Sequence, residues 1–205
     1  MPKGSPELAN ARREEIISAC EELYKTKGFK DVTIRDIGNI TSFTRTSIYN
    51  YFQTKEEIFL AILKREYDLW TEELNQRIDA VGTMTDAEIA DCLAGTLDKR
   101  QQLLKLLAMN HYDMEENSRM EALTDFKGSY GKALQTVMVL LGKFRPEMTV
   151  AERQGFVYAF FPFLFGVYPY TVVTDKQRES MQKAGVDYAY QSVYELIYAC
   201  VLRLL

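Results

Sequence analysis

The chain has 205 residues, 47% of them hydrophobic, with 11 glycines and 5 prolines. That is core enough to exclude wholesale disorder, and so few breakers favour helices over sheets. A formal net charge of −4 and a pI near 5.2 exclude a protein that coats nucleic acid non-specifically.

The first expected helix starts at Ser5-Pro6, a cap followed by proline in the first turn, and runs to about Lys27, where Gly28 stops it. Ile16, Cys20, Leu23 and Tyr24 form its inner stripe, and Phe29 and Val32 then turn inward. Thr33 can cap a short second helix, with Asp36 three residues on and Ile34 and Ile37 on one face. That helix gives out near Ile40 to Ser42. Thr44 can cap a third, whose inward side carries Ile48 and Phe52, four apart. Arg45, Thr46, Ser47, Tyr49 and Asn50 are left largely outward. An Arg suits guanine or phosphate, an Asn suits adenine, and hydroxyls suit phosphate oxygens. Between residues 25 and 55 six basic side chains (Lys25, Lys27, Lys30, Arg35, Arg45, Lys55) face only Asp31 and Asp36, although residues 1–60 as a whole hold nine basic and nine acidic. The acidic excess therefore lies in residues 61–205, with sixteen basic and twenty acidic.

Thr54-Lys55-Glu56-Glu57 reads as a capping box that opens a long helix from Lys55 to about Val81, with Phe59, Ile62, Leu63, Trp70 and Leu74 at helical spacing. Four more starts of this type, Thr85–Glu88, Ser118–Glu121, Thr149–Glu152 and Thr174–Gln177, divide the rest into helices near 86–97, 100–112, 119–144, 150–168 and 175–204, the last broken near Gly185. The apolar run from Phe156 to Tyr170 is interrupted by Pro162 and Pro169 and is shorter than the ~20 residues that span a bilayer. Residues 186–205 hold only three charges, so a helix there needs burial on most sides. It is either the centre of a bundle or half of a four-helix dimer interface, and its lack of a wet side favours the dimer. Cys20, Cys92 and Cys200 lack metal-ligand spacing and read as reduced thiols, and no metal or cofactor site is legible. No secretory signal precedes the first helix, and a cytoplasmic protein is expected.

The segments Val32-Thr33-Ile34-Arg35-Asp36-Ile37, Ser47-Ile48-Tyr49-Asn50-Tyr51-Phe52 and Thr54-Lys55-Glu56-Glu57-Ile58 closely resemble the N-terminal domain of the tetracycline-repressor family. The resemblance covers residues 10 to 65. Ser42 and Thr46 stand where the family usually has glycine. It implies an all-α chain with a three-helix helix-turn-helix domain over 5–58 and a larger helical bundle over 59–205 that binds ligand and dimerises. The implied function is a sequence-specific DNA-binding regulator, a repressor that leaves a palindromic operator when a small effector binds. Carried onto this chain, Thr33, Thr44 and Lys55 contact phosphate, Tyr49 a phosphate or thymine methyl, and Tyr51 the backbone. Arg35, Arg45, Thr46, Ser47 and Asn50 are candidates for base edges. Candidate effector-lining residues are Trp70, Met109, His111, Tyr112, Phe126, Tyr130, Met138 and Phe165. The rival reading is a dimeric ligand- or protein-binding module without operator binding. An enzyme is disfavoured: the chain has one histidine, no Gly-rich phosphate loop, no HExxH and no G-x-S-x-G.

Overall fold

The computed structural model describes residues 5–108 and 111–205, without the side chains of 111 and 112. Every regular element among them is a helix: α1 (Pro6–Thr26), α2 (Ile34–Ile40), α3 (Arg45–Ile48), α4 (Lys55–Ala80), α5 (Asp86–Asp98), α6 (Gln101–Leu107), α7 (His111–Glu116), α8 (Met120–Phe144), α9 (Val150–Thr171), α10 (Asp175–Lys183) and α11 (Val193–Leu204).

The capping residues explain most starts. Ser5 accepts from the Leu8 N–H with Pro6 just inside the helix. Thr33–Asp36, Thr85–Glu88 and Thr149–Glu152 each close a reciprocal box, as does Ser192–Glu195, which the sequence reading passed over. Five expectations change. Gly28 is not the stop of α1, which ends at Thr26 with Lys27 as its extended cap. The expected 100–112 helix ends at Leu107. Helix α8 begins at Met120 rather than directly after a Ser118 cap. Pro162 and Pro169 do not break α9, which runs on to Thr171. An interior proline forfeits one helical hydrogen bond, but Phe160, Phe161, Leu164 and Val167 are buried around them and hold the helix in place. Finally, residues 186–191 are not helical. Gly185, at φ 67°, ends α10, with the Val186 N–H returning to the Met181 carbonyl.

Two compact units emerge. The first comprises Met1–Glu66 with Met109–Tyr130, the second Tyr67–Ala108 with Gly131–Leu205. The first unit thus includes residues that a division at 58 puts in the second domain. Its core is Ile16, Cys20, Tyr24, Phe29, Val32, Ile37, Ile48, Phe52, Phe59 and Ile62, all essentially solvent-free. The Phe59 ring meets Tyr24 edge-on at 5.1 Å and Phe29 at 4.7 Å. Each such side chain contributes ~1.5–3 kcal/mol by leaving water. Arg65 on α4 grips α1 through Glu14, Ser18 and Glu21.

In the second unit α11 lies against α5 and α9. Trp70 is buried 5.9 Å from Phe161 and donates from Nε1 to the Thr96 hydroxyl at 3.0 Å. Glu73 receives Lys99 and Arg100, at 3.0 and 3.1 Å. No single helix among the described residues is long and apolar enough to cross a membrane.

Candidate nucleic-acid interface

The pair α2–α3 is built by local capping and one close approach. Thr33 accepts the Asp36 N–H at 3.2 Å while the Asp36 carboxylate accepts the Thr33 N–H and hydroxyl. Those bonds, with Lys27 at 3.3 Å, hold the Asp36 carboxyl below the usual carboxylate range. A Cβ on Gly38 would sit in ordinary contact with the Arg45 backbone, at 3.4–3.5 Å, so α2 and α3 approach to within van der Waals reach at this point. The turn between them is anchored at Ser42, whose N–H and hydroxyl both donate to the Glu15 carboxylate on α1. A glycine at that position would lack the second bond.

Helix α3 itself is one turn long. It continues as tight turns that bring the Tyr51 and Phe52 N–H groups to the Ile48 carbonyl at 2.9 and 3.0 Å. Ile48 and Phe52 are buried, as their spacing predicts. Arg35, Arg45, Thr46, Tyr49 and Asn50 are exposed together with Thr33 and Thr44, while Ser47 and Tyr51 are half-buried. Thr44 takes the position and backbone angles of an N-cap but caps no N–H. Its hydroxyl lies 3.2 Å from the Ser47 hydroxyl instead. The basic strip is partly answered: Lys25 pairs with Glu22 at 2.6 Å and Lys27 with Asp36. Lys30, Arg35 and Arg45 stand exposed with no described carboxylate partner.

Lys55 has partners inside the head besides the phosphate contact expected of it. Its ammonium donates to the Phe29 carbonyl at 2.8 Å and lies 4.7 Å from the Phe29 ring centroid. It ties the α1–α2 loop to the start of α4. Thr54 accepts the Glu57 N–H at 3.2 Å, which is half of the expected box. The other half is diverted: the Glu57 carboxylate is buried and accepts from Gln53 and from Arg119, 62 residues away. Thr54–Glu57 had a local signal for a cap. Nothing local to Arg119 marks it as the partner.

The effector candidates are spread over both units. Phe126 and Tyr130 belong to the first, and Trp70, Met138 and Phe165 to the second. Trp70 and Phe126 are buried, while Met138, Tyr130 and Phe165 are half-buried. Met109 and the side chains of His111 and Tyr112 lie outside the described residues. Three cavities are lined by other residues: one of about 320 Å³ by Tyr170, Val173, Met181 and Tyr188, one of about 430 Å³ by Arg145, Phe156 and Leu204, and one of about 190 Å³ by Arg13, Tyr51, Glu57 and Arg119. Among the described residues no cluster of His, Cys, Asp and Glu has the arrangement of a metal site.

Residues 16–62, which contain every expected DNA contact, match the profile described as bacterial regulatory proteins, tetR family. Residues 64–189 match the tetracyclin repressor-like C-terminal domain. Over 75 residues the chain is 32% identical to an uncharacterized HTH-type transcriptional regulator, YfiR, of Bacillus subtilis, covering 37% of each protein. It is also 32% identical over 76 residues to the regulator HbdR of Aromatoleum sp., covering 37% of this chain and 33% of HbdR. The match therefore spans about a third of these relatives' length. The fold extends further. A putative tetR-family regulator from Mesorhizobium loti superimposes with a TM-score of 0.62 over 96% of each chain at 13% identity. The Thermus thermophilus repressor FadR, solved in complex with lauroyl-CoA, does so with 0.60 over 94% of this chain and 93% of its own at 18% identity. With a helix-turn-helix head at one end of the sequence and a matching C-terminal domain over more than half of it, this chain belongs to the tetracycline-repressor family of bacterial regulatory proteins.

Proposed function

We propose that this protein is a cytoplasmic, dimeric, sequence-specific DNA-binding repressor that a small-molecule effector releases from a palindromic operator. The observation that carries this is the outward row Arg45, Thr46, Tyr49 and Asn50, held in one orientation because Ile48 and Phe52 on the reverse side are buried. Arg45 and Asn50 have the side chains that read guanine and adenine edges, and Thr44 and Tyr49 offer hydroxyls to phosphates, whereas Thr33, whose O–H is donated to Asp36, must exchange that bond for a phosphate to do the same. Repression needs only occupancy of a promoter.

The dimer reading rests on exposed apolar surface. Helix α11 buries Val193, Ile197 and Val201 inside its own chain but leaves Leu202 40% exposed, and α9 leaves Tyr158 67% exposed. A second copy covering α9 and α11 would remove that surface from water. It would also supply the second head that half-sites ~34–36 Å apart demand. The effector reading is supported by the lauroyl-CoA complex of the Thermus thermophilus relative, which makes acyl-CoA thioesters the first probes. The candidate residues Trp70, Met138 and Phe165 remain assigned to the effector site within this proposal.

Selection of bound sequences from random DNA, followed by mobility shift, tests the reading. The expected result is a two-fold symmetric site, retarded by a dimer and released as salt rises. Failure to enrich any sequence would overturn it.

A further inference from the structure

Around the turn that follows α3, the Glu57 side chain is fully removed from solvent, yet all its acceptor capacity is used. Oε1 accepts from Arg119 Nε at 2.6 Å and from the Arg119 backbone N–H at 3.1 Å. Oε2 accepts from Arg119 Nη2 at 2.9 Å and from the Gln53 backbone N–H at 2.8 Å. The same Nη2 reaches the Tyr51 carbonyl at 3.5 Å, and the Thr54 hydroxyl donates to the Asn117 carbonyl at 2.9 Å. The segment 51–54 links α3 to α4. Every one of these bonds joins it, directly or through Glu57, to the turn between α7 and α8.

We propose that Arg119 is a positioning residue for DNA binding: through Glu57 it clamps the Tyr51–Thr54 turn and so sets the orientation in which α3 is presented. The proposal rests on the DNA-binding reading above. A surface ion pair would contribute little. This one is a planar fork on a desolvated carboxylate, the geometry in which Arg is not replaceable by Lys. Met120, the residue after Arg119, opens α8, which runs unbroken to Phe144. The clamp therefore ties the Tyr51–Thr54 turn to the residue that precedes α8.

Charge and position predict opposite signs, and that separates them. Glu57→Gln removes a negative charge near DNA, so electrostatics alone would tighten binding. Loss of the clamp weakens it. The test uses full-length wild type, Glu57→Gln, Arg119→Lys and Arg119→Ala, each verified as folded by its thermal melt, against the selected operator. The expected result is a Kd raised about tenfold in Glu57→Gln and Arg119→Ala, an energy within the range of contacting pairs. The salt slope should be unchanged, since no phosphate contact is lost. Arg119→Lys should recover little, and it stands in should Arg119→Ala fail to fold. Amide exchange over residues 49–57 should quicken in all three, the Gln53 N–H most. Tighter binding by Glu57→Gln, wild-type affinity in Arg119→Lys, or unchanged exchange would overturn the clamp. A wild type that binds no selected DNA would instead sink the operator reading, and exchange alone would then decide whether Arg119 orders the turn.

Discussion

Arg45 donates from Nη2 to the Tyr49 hydroxyl at 3.1 Å, and its guanidinium carbon lies 5.7 Å from the Tyr49 ring centroid. Two of the residues expected to meet DNA are thus engaged with each other on the exposed face of α3. Arg45→Ala should cost ~1–3 kcal/mol of discrimination between operator and single-base variants. Tyr49→Phe keeps the ring and frees the guanidinium, so it should weaken all sequences by less and leave discrimination intact. Competition mobility shifts against a panel of operator variants measure both.

Lys55→Ala should weaken binding to all sequences alike, because the phosphate contact proposed for it carries no base information. Its bonds to the Phe29 and Lys30 carbonyls add a second consequence. The head should also lose about 1 kcal/mol of stability, read as a lower denaturant midpoint without DNA.

Thr96 is buried, accepts from Trp70 Nε1 and donates to the Cys92 carbonyl at 2.8 Å. Thr96→Val preserves shape but strands the indole N–H, at a cost of about 1–3 kcal/mol. Trp70 is the only tryptophan, so its emission follows the unfolding of this region directly. Thr96→Ser, which keeps the acceptor, should lose less.

For Glu57, burial raises the carboxyl affinity for protons, but the Arg119 fork and the N–H groups of Gln53 and Arg119 outweigh it and hold it below the usual range. The folded value lies under the unfolded one. Its stabilising contribution is therefore complete above the unfolded carboxylate value, about 4.3, and is lost as pH falls through the folded value. Denaturant unfolding across acid pH should show a shallower decline in Glu57→Gln than in wild type. The capping carboxylates of Asp36, Glu88, Glu152 and Glu195, lowered by their own hydrogen bonds, contribute to the residual slope, as does Glu73 beside Lys99 and Arg100.

Burial pushes the Cys20 thiol up to about 12, and burial raises Cys92 as well. Since thiolate is the reactive form, a thiol reagent at about pH 8 should leave both unmodified in the native protein and label both after unfolding. Mass spectrometry of peptides from each state distinguishes the outcomes.

Most of the architecture was legible because it is encoded locally. Capping residues such as Thr33, Thr85 and Thr149 mark helix starts within four positions of themselves. The spacing of Ile48 and Phe52 tells which side of α3 faces in and therefore which side faces out. The family motifs between Val32 and Ile58 carried the functional reading on the same local footing. What misled was also local: Pro162 and Pro169 look like breakers, and Ser118 looks like a cap, until the packing around them is known.

By itself the sequence determined the helical class, the helix-turn-helix head and the exposed row from Arg45 to Asn50, because propensity, capping and periodicity act over one or two turns. Only the tertiary structure decided that Glu57 serves Arg119 rather than its own helix cap, that Lys55 staples a loop, and that Ser42 is tied to Glu15. Those partners lie 62, about 25 and 27 residues apart, and pairing over such distances depends on how helices pack, which no local pattern encodes.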